Sequence, residues 1–97
     1  MFLMSKNRSS QDKVRRHIEK MSTKTHLRMY ESFCSAHIIN ERSGCTEQAE
    51  TNRKCMEGLL SFGKITTAQA AEVEAGLRER IPQIELFINE LMASEKV

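Results

Sequence analysis

The sequence predicts an all-α protein, a small bundle of four or five helices with a loose basic N-terminal segment. Three observations carry that prediction. Ala70, Val73, Leu77, Ile81, Ile84, Ile88 and Leu91 recur every three or four positions without a slip, the period of one face of an α-helix. Two apolar stripes upstream each stop at a glycine, Gly44 and Gly63, the residue that most readily ends a helix. No stretch alternates apolar and polar residues as a half-buried strand does. A chain of 97 residues has room for one small domain. Residues 1–9 read as a flexible leader and residues 10–97 as a single helical domain.

The leader is polar after Met4 and has no periodicity. A first helix is expected from about Ser9–Ser10, where Ser9 and Asp12 imitate a capping box. Its stripe of Val14, Ile18 and Met21 is narrow, and Ser22-Thr23-Lys24-Thr25 interrupts it because short polar side chains compete for backbone hydrogen bonds. A second helix is expected over about Thr25–Glu41, with Leu27, Tyr30, Cys34 and Ile38 on one face. Thr46 can cap a third, whose apolar line is Ala49, Met56, Leu59 and Leu60. The fourth has the strongest start: Thr66 with Gln69 fits a capping box and Ile65 with Ala70 fits the hydrophobic staple, with Thr67 a competing cap. Pro82 sits inside its stripe. Proline removes a helical hydrogen bond at about 3 kcal/mol, so either the helix kinks or a new one starts with Pro82 in its first turn.

The net charge of +2 conceals a gradient. Residues 1–30 hold eight basic groups against two acids, and residues 31–97 hold seven against eleven. A uniformly basic nucleic-acid coat is excluded; a basic arm on an acidic body is not. Only 5% of the residues are aromatic and none is Trp, which predicts a thin core of Ile, Leu, Met and Ala and marginal stability alone. Tyr30, Phe33, Phe62 and Phe87 are read as core. No segment has the length of a membrane span, the opening Met1-Phe2-Leu3-Met4 lacks the form of a signal peptide, and three cysteines that cannot all pair favour a reducing cytoplasm.

Cys34, His37, Cys45 and Cys55 invite a test for zinc. Structural zinc sites show two close ligand pairs, whereas Cys45 and Cys55 are ten residues apart. They are read as small buried or half-buried residues, with no metal or cofactor expected. Phosphate-cradling, dinucleotide and nucleophile-elbow motifs are absent, since Gly44, Gly58, Gly63 and Gly76 never cluster. Catalysis is therefore not expected. The basic segment from Lys6 to Arg28 has three readings: a tracker of phosphates through Arg15, Arg16, Lys20 and Lys24, a dock for an acidic protein surface, or a solvated face. Leu86 points away from the Ile84–Ile88–Leu91 stripe. This division suggests one face of the last helix for the core and one for a partner, with Leu86 and Phe87 as contact candidates.

The segment from Ile65 to Leu77, Ile-Thr-Thr-Ala-Gln-Ala-Ala-Glu-Val-Glu-Ala-Gly-Leu, leading into Ile81-Pro82-Gln83-Ile84, resembles the small anti-RecBCD proteins of lambdoid phages, the second of their two accessory anti-RecBCD products. The resemblance spans essentially the whole chain and includes the basic start. It implies a non-enzymatic modulator that binds the RecC subunit of the host RecBCD helicase–nuclease in the host cytoplasm. Such a modulator redirects DNA end processing toward phage recombination. Ala68 stands where the family has proline. Alanine keeps the first turn helical but removes any slow isomerisation at a Thr-Pro bond. The departure weakens the family's second implied partner, a host prolyl isomerase. A rival reading is a nonspecific nucleic-acid-binding factor using the basic first helix.

Overall fold

Two turns between helices pass through left-handed glycines, Gly44 at φ +79° and Gly63 at φ +74°, where a side chain would be strained. They separate the last three of the four helices among the described residues. A computed structural model describes the backbone of residues 2–95 and the side chains of residues 10–95. The helices are α1 (Phe2–Glu19), α2 (Thr23–Arg42), α3 (Thr46–Leu60) and α4 (Thr67–Glu95). Among the described residues there is no strand. The all-α bundle is the fold class expected.

The first helix departs most from expectation. It starts at Phe2, about two turns ahead of Ser9–Ser10, so the Ser9–Asp12 pair lies inside it. No Gly or Pro occurs before Ser22, and Leu, Met, Lys and Arg are good helix formers. The expected leader is therefore helical backbone. The side chains of residues 1–9 lie outside the described residues.

The start of α2 turns the polar interruption into a cap. Ser22 is extended, and its hydroxyl oxygen accepts the Thr25 amide at 3.2 Å, satisfying one orphan donor of the first turn. At α3 the cap position falls on Cys45, which makes no side-chain cap bond; the Thr46 hydroxyl, the expected cap, instead donates to the Gly44 carbonyl at 3.5 Å. The α4 box forms in both directions. The Gln69 amide donates to the Thr66 hydroxyl oxygen, and the Thr66 amide donates to Gln69 Oε1, each at 3.0 Å. Thr66, not Thr67, is thus the cap, and the stapling pair Ile65 and Ala70 is buried beneath it. Helix α4 then continues through Pro82 for 29 residues. No new helix begins at Pro82.

Helix α2 is the hub, packing against both α3 and α4. Its Tyr30, Cys34 and Ile38 meet Met56 and Leu59 of α3, Ile65 of the connecting turn, and Ala70, Leu77 and Ile81 of α4. Helix α1 joins through Ile18, which packs on this cluster, and through its last carbonyls. The fully buried His26 ring pairs with the Ile18 carbonyl at 2.7 Å and meets the Phe62 ring edge-on at 5.5 Å. The Lys64 ammonium donates to the carbonyls of Glu19 and Met21.

The long axis of the molecule is 61 Å and its radius of gyration 17.4 Å, against about 13 Å for a compact chain of 100 residues. Among the described residues, no helix is long and apolar enough to cross a membrane.

Candidate docking site

Helices α2 and α4 run side by side in the same direction. Lys64, just before α4, reaches Met21, just before α2, and Arg42 at the end of α2 grips Glu85 with Nε and a terminal nitrogen at 2.8–3.1 Å. That fork marks where the bundle stops. Helix α4 goes on for ten more residues, about 15 Å, with no α2 left to cover it.

The stripe that packs at Leu77 and Ile81 therefore emerges into solvent. Ile84, Leu86, Phe87, Ile88, Leu91 and Met92 are all exposed, from 46% at Ile88 to 61% at Leu86 and Phe87. Phe87 was expected in the core and is not there. Nor does this end divide into a core face and a partner face: both are open, because α2 ends at Arg42. At about 100° per residue, Phe87, Leu91, Ile84, Ile88 and Met92 share an arc of roughly 140°, while Leu86 lies on the opposite side. The arc continues into an open groove of 490 Å³ between α2 and α4, floored by Ile39, Leu77, Ile81, Ile84 and Ile88.

The basic candidates sit elsewhere. Arg15 and Arg16 are exposed on the last turns of α1 and Lys20 in the turn just after it; α1 is anchored near Phe62 and Lys64, close to the start of α4. Leu86 and Phe87 lie about 30 Å further along α4. The two sets form no single site. The Arg15 guanidinium also stacks 5.5 Å over the Phe62 ring, a cation–π contact that helps seat α1.

The four metal candidates do not converge. Cys34 is sealed in the core, Cys45 is exposed in the α2–α3 turn, and Cys55 is half-buried on α3. Among the described residues, no three His, Cys, Asp or Glu side chains are placed to hold an ion. Burial, and after it the nearby Glu74, pushes the Cys34 thiol up to about 11, so it remains protonated and unreactive at neutral pH.

His37 has a different occupation. Its Nδ1 lies 2.6 Å from the Ala49 carbonyl, which can only accept, so Nδ1 carries hydrogen. Nε2 then faces Arg53 at 3.0 Å and Glu41 at 3.2 Å. Arg53 pairs with Glu74, Glu74 with Arg78, and Arg78 with Glu41. This ring of groups ties α2, α3 and α4 together. The hydrogen bond from Arg78 holds the Glu41 carboxyl below its ordinary value. The network is structural in character; helical spacing could have found its i,i+4 pairs His37–Glu41 and Glu74–Arg78, but not the links that join them across three helices.

No family model, no curated protein and no solved structure matches the chain.

Proposed function

We propose that the protein is a non-enzymatic phage modulator that docks on the host RecBCD helicase–nuclease through RecC, in the host cytoplasm, and redirects its processing of DNA ends toward phage recombination. The observation that carries the docking half of this reading is the apolar end of α4, an arc of five large side chains left half open where the bundle stops, with Leu86 exposed on the opposite side. Exposed apolar surface of that extent on a small protein marks an interaction site. The partner's identity rests on the resemblance of residues 65–77 and 81–84 to the anti-RecBCD family. A protein of this size acts on a large enzyme by binding one of its states better than another, which shifts the populations of the two.

The test is capture from bacterial lysate on the tagged chain, with nuclease present and salt at about 0.3 M to suppress phosphate contacts. Stoichiometric RecBCD is the expected yield, and the double substitution Leu86→Glu/Phe87→Glu reduces it more than about tenfold, the usual scale for losing central apolar anchors. Absence of RecBCD from the parent capture overturns the reading. The exposure of Arg15 and Arg16 on α1 and of Lys20 just after it favours a second one, direct contact with nucleic acid. Arg15→Glu/Arg16→Glu separates the two: loss of salt-sensitive DNA binding with RecBCD retained assigns the basic arm to DNA, whereas loss of RecBCD assigns it to the protein partner.

A further inference from the structure

We propose that a second copy of the chain covers the apolar arc in the free protein, the two α4 ends packing antiparallel about a two-fold axis. The arc of Phe87, Leu91, Ile84, Ile88 and Met92 is the continuation of the stripe that α2 buries one turn earlier. Its natural complement is another helix with the same stripe, and the α4 end of a second copy is such a helix.

Area supports this occupant. The exposed halves of these five side chains and of neighbouring Ile39 amount to roughly 500 Å² of apolar surface. A standard interface buries about 800 Å² on each partner, and in homodimers about 65% of that is apolar, again close to 500 Å². The patch is of the size one two-fold interface requires.

Charge supports a particular register. Setting Ile84 of one copy against Leu91 of the other sets Phe87 against Ile88 and brings Arg80 alongside Glu95. The two-fold axis makes each contact twice. Arg80 spends its Nε on the Gly76 carbonyl of its own helix at 3.4 Å, which leaves its terminal nitrogens free to face Glu95 of the other copy. Glu85, at the edge of the arc, is already neutralised by Arg42, and Glu90 falls outside the arc. Leu86 also falls outside and stays open in the dimer.

The test is the mass of the purified full chain, measured by light scattering or sedimentation from low to high micromolar concentration. The expected mass rises from 11.2 kDa toward twice that value. Leu91→Glu holds the chain at the monomer mass, and Leu86→Glu leaves the dimer intact, with helicity unchanged by circular dichroism in both. Arg80→Glu and Glu95→Arg each weaken the dimer about tenfold by placing like charges together twice, and the double exchange restores it to within about threefold of the parent. A parent chain that keeps the monomer mass throughout overturns the proposal, as does a double exchange no tighter than either single one. The measurement involves no RecBCD, so its outcome is independent of the docking reading above.

Discussion

From Ala70 to Ile81 the apolar stripe of α4 lies against α2, with Ala70, Leu77 and Ile81 all but closed off from water; from Ile84 to Met92 the same stripe, in the same phase, stands half open. Nothing in the side chains themselves separates the two stretches. The difference is the neighbour. Helix α2 has 20 residues and α4 has 29, they start level, and the shorter one runs out at Arg42. A run of apolar residues at helical spacing thus specifies that a face will be covered, and the lengths of the adjoining elements decide whether the chain itself covers it.

The sharpest way to break the comparison is one truncation in each half. Leu77→Ala opens a cavity in the core and is expected to lower stability by about 2–5 kcal/mol. Leu91→Ala, measured by urea unfolding at a dilution that keeps the chain monomeric, is expected to change it by less than about 0.5 kcal/mol. Equal losses at the two positions would mean that the end of α4 is packed within the monomer. A smaller effect is expected where the covered half begins. Thr66→Ala removes the hydroxyl that accepts the Gln69 amide, and the loss should be about 1 kcal/mol, with no change in the mass of the dimer.

The smallest effect belongs to the boundary between the halves. The hydrogen bond from Arg42 holds the Glu85 carboxyl below its ordinary value of 4.5. A carboxyl depressed in the folded state contributes stability above its unfolded value and loses that contribution as the pH falls through its folded one. Both partners are well exposed, so solvent screens most of the attraction. Arg42→Ala should therefore leave the neutral-pH midpoint almost unchanged and flatten the loss of stability below pH 4.5. A midpoint that falls equally at all pH values would show that Arg42 acts through packing instead.

Much of the fold was legible because its signals are local. Thr66 and Gln69 need only three residues of separation to form their box, and Gly44 and Gly63 end their helices from within the turn. The start of α1 was misread for the same reason: Ser9 and Asp12 are a sound local cap signal, but an uninterrupted run of helix-forming residues precedes them. Phe87 and the two faces around it were misread because their exposure depends on where another helix ends. His37 was singled out as a possible ligand, yet its partners Ala49 and Arg53 come from α3 and are brought to it by packing. Recognising a site in this molecule meant knowing what lies beside each face, which no single helix encodes.

The attachment of α1 has an electrical consequence. Residues 1–30 carry +6 and residues 31–97 carry −4, and α1 is fastened to the rest by its last turn near Phe62 and Lys64. Half of that +6 lies on α1, five basic groups against Asp12 and Glu19, and half on Lys20, Lys24 and Arg28 just beyond it, so the molecule is an oriented dipole whose positive pole spans α1 and the start of α2. In the field of a charged partner such a dipole feels a torque, which turns it before any side chain touches. At physiological ionic strength that field fades over about 8 Å, so the turning is confined to the last few layers of water. A charged partner would therefore meet the protein in a preferred orientation, set before contact begins.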